Sequence, residues 1–176
     1  LLNVGCIGLV KKENIIYGNA LYEDSFIIYI GSKTGKDGIG GADMASKEFN
    51  NLEDNLEDTI QTGDPFLEKL LLEVCCKLSE LKLLEGMQDM GAGGLLCSSL
   101  EMVIRGRSKT NKNLGCYIDI EKVPTKETME ATDILISESQ ERMLLVSSKE
   151  NSLKIKEICQ LWDLEYHQIG KVTNDG

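Results

Sequence analysis

The chain has 176 residues, 41% of them hydrophobic and 27% charged, the balance of a globular domain with a core of its own and not of a disordered segment. Against 19 basic residues stand 29 acidic ones, a formal charge of −10, and no Lys/Arg cluster is interleaved with aromatic residues; nucleic acid is excluded as a partner, while a small phosphorylated ligand held by backbone amides is not. No apolar run nears the roughly 20 residues that span a membrane, and Cys6, Cys75, Cys76, Cys97, Cys116 and Cys159 form no CxxC pair, so reduced thiols in a cytoplasmic protein are expected, not a disulfide framework or a zinc site.

In chain order, the first 20 or so residues, LLNVGCIGLV and beyond, read as strand and turn material. The opening residue is not Met and the chain stops just after a strand-like run, so both ends read as cut from something longer. Phe26 to Ile30 is an apolar run of strand length, followed at once by the glycine-rich loop GSKTGKDGIGGADMAS, Gly31 to Ser46. The acidic stretch from Phe49 to Thr62 reads as a solvated connection or a poorly formed helix. Asp64-Pro65 then supplies a helix start, with Leu67, Leu70, Leu71, Val74, Leu78 and Leu81 on one face.

Glu85 to Met90 is predicted as a short strand, and Leu95 to Ile104 as a helix that stops at Gly106. GRSKTNKNLG reads as a surface loop, followed by an alternating strand with Cys116, Ile118 and Ile120 inward. A polar helix over Lys126 to Asp133, the strand MLLVSS, the helix SLKIKEICQLW and the strand LEYHQIGKV complete the pattern. Ile158, Leu161 and Trp162 are expected in the core. Strands alternating with helices predict a layered α/β or α+β domain, read here as α+β with a mixed sheet covered by helices.

Several stretches carry candidate chemistry. The loop after Ile30 fails the Walker test, because Lys36 stands five residues after Gly31, and Gly40-Gly41 follow Gly35 without a lysine; nor does it hold GxGxxG. What remains is a run of unobstructed backbone N–H groups at Gly31, Gly35, Gly38, Gly40 and Gly41 beside Lys33 and Lys36, suited to an anion, against the plainer reading of a flexible turn. Asp89, at the end of a predicted strand before GAGG, suits a hard cation such as Mg²⁺ or else caps the next helix. Gln61-Thr62-Gly63-Asp64 is a candidate binding turn, and SESQER, Ser137 to Arg142, reads as side chains aimed at a polar ligand or as an exposed strand start. His167, the one histidine, reads as a surface or half-buried strand residue, and no nucleophile–base constellation can be assembled.

Taken together and in order, GSKTGKDGIGGADMASKEF, QTGDPFLEKLLLE, GMQDMGAGGL, ISESQERMLLV and WDLEYHQIGKVT closely resemble the large subunit of the phosphoribosylformylglycinamidine synthase family, within the aminoimidazole ribonucleotide synthetase-like superfamily of ATP enzymes. The resemblance implies that residues 1–25 are the tail of an N-terminal ATP-binding domain and 26–176 the C-terminal domain of the first half of the enzyme. It implies a ligase that converts formylglycinamide ribonucleotide, glutamine and ATP to formylglycinamidine ribonucleotide, with Mg²⁺ as cofactor and with a glutamine amidotransferase subunit and a small bridging subunit as partners. Carried over by position, Gln61, Glu138, Ser139 and Gln140 would contact the nucleotide substrate and Asp89 would bind Mg²⁺. The catalytic histidines and the ATP-holding Lys and Glu of that family would lie upstream of Leu1, which leaves no catalytic residue here and an isolated chain without turnover. The alternatives are another ATP enzyme of the superfamily, of aminoimidazole ribonucleotide synthetase or selenophosphate synthetase type, and a non-catalytic module binding a phosphorylated ligand; the wording of QTGDPF and SESQER speaks against the first.

Overall fold

The computed structural model describes residues 5–41 and 61–176. The acidic connection expected before Gln61 and the end of the glycine-rich loop beyond Gly41 lie outside the described residues, apart from Gln61 and Thr62.

The apolar run FIIYIG forms β1 (Phe26–Gly31), buried along nearly its whole length because it is covered on both faces. Around it lie α1 (Pro65–Glu80), β2 (Gly86–Asp89), α2 (Gly94–Thr110), β3 (Gly115–Ile118), α3 (Ala131–Ile136), β4 (Arg142–Ser147), α4 (Lys149–Leu161) and β5 (Tyr166–Thr173). The sheet order is β2-β4-β1-β5-β3. All four ladders are antiparallel, which corrects the expected mixed sheet; the α+β layering holds. One isolated parallel bridge, Thr34 to Thr125, lies outside the strands.

The period-2 alternation of β1 divides the core into two layers. Ile27 and Tyr29 face α2 and α3, packing with Leu95, Met102, Val103 and Ile134. Ile28 and Ile30 face α1 and α4, packing with Leu71, Val74, Leu78, Ile155 and Ile158. Each such fully buried aliphatic side chain contributes about 1.5–3 kcal/mol of transfer free energy.

Helix α1 starts where Asp64 and Pro65 predict. The Asp64 carboxylate accepts from the N–H groups of Phe66 and Leu67, both at 3.0 Å. Asp64→Ala is expected to remove about 1 kcal/mol of stability; a urea titration showing an unchanged midpoint would contradict the cap.

Other expectations shift. Among residues 5–25 there is no strand, only a short 3-10 turn at Lys12–Asn14, and Ile7 and Leu9 are fully exposed. The polar helix lies at Ala131–Ile136 instead of Lys126 to Asp133. Leu161 and Trp162 are exposed, because the buried stripe of α4 runs through Ser152, Ile155, Ile158 and Cys159 and the helix ends before another turn. All six cysteines are free thiols, and burial pushes Cys75 and Cys159 up to about 12.

Helix α2 does not stop at Gly106 but continues to Thr110. Gly106 is the place where the segment before β1 crosses the helix: a Cβ there would lie 1.7 Å from the Ala20 carbonyl oxygen. That segment is pinned by the Ala20 N–H donating to Met102 O at 2.9 Å.

Candidate functional site

Antiparallel pairing brings the end of β1, the start of β4 and the end of β2 to one end of the sheet. Gly31 pairs with Arg142 and Asp89 pairs with Met143. Three motifs separated in sequence therefore meet there: the glycine-rich loop, the Asp89-Gly91 turn and the SESQER run. At Gly31, φ is +106° and a Cβ would lie 2.1 Å from Glu141 O, so glycine is required for β1 to turn out beside that run. The next N–H, of Ser32, donates to the same Glu141 oxygen at 2.8 Å.

The loop is stitched to the run by serine hydroxyls. Ser137 Oγ donates to Gly35 O at 2.6 Å, and the Gly35 N–H donates to Ser139 Oγ at 2.9 Å. Ser139 Oγ in turn donates to Asp37 Oδ1 at 2.7 Å, and Lys126 Nζ lies 3.3 Å from the same oxygen. Asp37 Oδ2 is buried with no hydrogen-bond partner. Ser137, Glu138, Ser139 and Arg142 are all buried, which removes the reading of SESQER as an exposed strand start.

Glu138 sits at the centre of the expected substrate set. Its Oε1 accepts the Gly93 N–H at 3.0 Å and its Oε2 accepts from Gln61 Nε2 at 3.3 Å. The turn from Gly38 to Gly41 lies against it, close enough that a Cβ on Gly41 would stand 2.9 Å from Oε2. Gln140 folds its amide onto Glu138 O at 2.9 Å.

Asp89 is exposed at the end of β2, where its Oδ1 accepts the Gly91 N–H at 3.0 Å. It does not cap α2; Gly93, with φ +71°, occupies that position. Asp89 and Gly91 border two clefts. One, of about 310 Å³, lies toward α1 and also has Gln140, Glu141 and Arg142 in its wall; the other, of about 510 Å³, lies toward α2 and includes Gln88, Glu101 and Arg105. No group of three His, Cys, Asp or Glu side chains among the described residues could form a metal cage. A single exposed carboxylate on a cleft fits Mg²⁺, which commonly takes one or two protein carboxylates and completes its shell with phosphate oxygens and water.

The two loop lysines are not drawn into this cluster. Lys33 pairs with Glu165 at 3.4 Å, and that carboxylate also binds His167 at 2.7 Å on the exposed flank of β5. The backbone N–H of Lys36 donates to Glu127 at 3.4 Å while its side chain is exposed. Of the loop glycines, Gly38 and Gly41 approach Glu138, and Gly35 bonds the serines.

Sequence reasoning missed two neighbours of the cluster. Arg142 was visible only as the last member of a polar run, and Thr34 only as a loop threonine. In the structure both are buried, and the Arg142 Nη1 donates to Thr34 Oγ1 at 3.0 Å. Tyr29 joins them, its hydroxyl 3.0 Å from Thr34 Oγ1; burial raises the tyrosine pKa and lowers that of Arg142. The available signal was an arginine placed immediately before the wholly apolar MLLV, where a cation must be paired or hydrogen-bonded.

Residues 23–176 match the family model described as AIR synthase related protein, C-terminal domain. Phosphoribosylformylglycinamidine synthase subunit PurL of Bartonella quintana (strain Toulouse) is 46% identical over 176 residues, covering 99% of this chain. The chain spans 23% of that relative's length. A structure of T. maritima PurL complexed with FGAR superposes with a TM-score of 0.85 at 37% identity, over 94% of this chain and 27% of that one. A second, T. maritima PurL complexed with ATP, gives a TM-score of 0.76 at 35% identity, over 94% of this chain and 24% of that one. Among the described residues no helix is long and apolar enough to cross a membrane.

Proposed function

Because the chain belongs to the AIR synthase related protein family through its C-terminal domain, we propose that it is a ligand-binding part of a larger synthetase subunit that makes formylglycinamidine ribonucleotide from formylglycinamide ribonucleotide, glutamine and ATP. The observation that carries this reading is the meeting of Gln61, Glu138 and the Gly93 N–H at one sheet end, with Asp89 and Gln140 in the wall of one adjoining cleft. Such a group of convergent polar donors and acceptors suits a ribonucleotide bearing an amide and a phosphate. Structures of a relative with FGAR and with ATP support the choice of ligands.

In this reading residues 26–176 are the C-terminal domain of the first synthetase half. Residues 1–25 are the tail of the N-terminal ATP-binding domain, running onto this one: Ile7 and Leu9 are fully exposed, while Ala20 already packs against α2. Glu138, oriented by Gly93, receives hydrogen-bond donors of the substrate, Ser139 holds the loop in place, and Gln61 and Gln140 supply adaptable amide contacts. Asp89 would hold Mg²⁺, which when bound offsets the negative charge gathered on the transferred phosphoryl group. The amidotransferase and bridging subunits that supply ammonia are partners of the whole subunit, and the proton-transferring groups reside in its remaining domains.

Asp89→Asn tests the metal assignment. Asparagine Oδ1 still accepts the Gly91 N–H, so the thermal midpoint should hold within a few degrees, while half-saturation by Mg²⁺ in the full-length subunit should rise about tenfold or more. Unchanged Mg²⁺ dependence would remove Asp89 from the site.

A further inference from the structure

The bonds of one buried side chain join the two ligand-binding elements. Arg142 is 3% exposed, and its donors reach four acceptors: Nε to Ser139 O at 2.6 Å, Nη2 to Ser137 O at 2.5 Å and to Met90 O at 3.3 Å, and Nη1 to Thr34 Oγ1 at 3.0 Å. Ser137 and Ser139 bracket Glu138 in the chain, and Met90 follows Asp89. A single planar cation thus touches the backbone on both sides of the substrate carboxylate and the residue next to the metal carboxylate. Thr34 brings in the glycine-rich loop.

We infer that Arg142 is a positioning residue that holds the Glu138 segment and the Asp89 strand end in one fixed relative geometry, so that substrate binding and Mg²⁺ binding are coupled through its guanidinium. The inference rests on the substrate reading proposed above. Burying a cation costs several kcal/mol unless every donor is satisfied. Two carboxylates whose charge favours the guanidinium, Asp37 and Glu138, are both part of the cluster. Two apolar layers already pack the sheet, so the hydrogen bonds of this arginine fall on the ligand end and not on the core. Lysine retains the charge but concentrates its donors on one nitrogen, which cannot span acceptors on three separate segments.

The test compares Arg142→Lys with Glu138→Gln in the full-length subunit, reading the KM for formylglycinamide ribonucleotide, the Mg²⁺ concentration for half activity and the thermal midpoint. Arg142→Lys should raise the KM and the Mg²⁺ requirement together, each about tenfold or more. Glu138→Gln should raise the KM alone. A purely structural role would lower the thermal midpoint and the active fraction while leaving both concentrations unchanged, and that result overturns the coupling. Should Arg142→Lys fail to fold, Thr34→Val removes one acceptor of the guanidinium without touching the charge; a parallel two- to fivefold rise in both concentrations is then expected, and no rise in either overturns the proposal. If Glu138→Gln leaves the KM unchanged, the substrate reading itself fails, whatever Arg142→Lys does.

Discussion

Glu138→Ala in the full-length subunit is expected to abolish measurable synthase turnover at ordinary substrate concentrations, through the KM first. The carboxylate is 4% exposed and accepts from Gly93 N–H and Gln61 Nε2, so its removal strips a partner from two donors at once. Hydrogen bonds to a charged group contribute about 1.5–3 kcal/mol each, and losing one substrate contact of that kind raises the KM roughly 10- to 150-fold. Disorder of the Gly38–Gly41 turn, which rests against the same side chain, adds to that loss. Steady-state kinetics over a wide substrate range decides the matter. A KM within twofold of the parent would show that Glu138 orders the loop without meeting the ligand.

Gly106→Val is expected to be among the most destabilising single changes in the chain. The added Cβ would lie 1.7 Å from the Ala20 carbonyl, and both groups belong to backbone that is hydrogen-bonded in place. Overpacking against backbone costs about 3 kcal/mol or more. At roughly 2–4 °C per kcal/mol for a chain of this size, calorimetry should record a fall of about 6–12 °C. Gly106→Ala gives the sharper test, because alanine in an exposed helix interior would stabilise by about 1 kcal/mol. Here it should destabilise, and a gain in stability would show that residues 18–20 do not cross α2 at that point.

These two sites mark where the residues themselves are informative and where they are not. The apolar run of β1, the Asp64 cap and the leucine stripe of α1, and the strand MLLVSS are legible because burial writes a period directly into the sequence. Strand direction leaves no such trace, so an antiparallel sheet and a mixed one read alike. Gly106 reads as a helix end because a glycine required for close approach and one required for termination are the same letter. Leu161 has the composition of core but falls off the stripe set by Ile155 and Ile158. In the site, Glu138 and Asp89 were legible as polar groups where apolar patterns begin or end, and the ordered motifs gave them roles. Arg142 was not, since its importance lies in carbonyls belonging to three other residues.

The bonds that close the ligand end also have a temporal consequence. Gly35 meets Ser137 and Ser139, Asp37 meets Ser139, and Thr34 meets Arg142 across separations of 102 to 108 residues. Contacts of such range form only after the chain entropy of the intervening loop has been overcome. A growing polypeptide that has emerged only as far as α3 therefore has its first three strands and the glycine-rich loop, bridged at Thr34 to Thr125, but not the Ser137–Arg142 run that the loop grips. The loop should therefore close only once the Ser137–Arg142 run is in place, and pulse-labelled hydrogen exchange would find the Gly35 amide protected no earlier than the β1–β4 ladder.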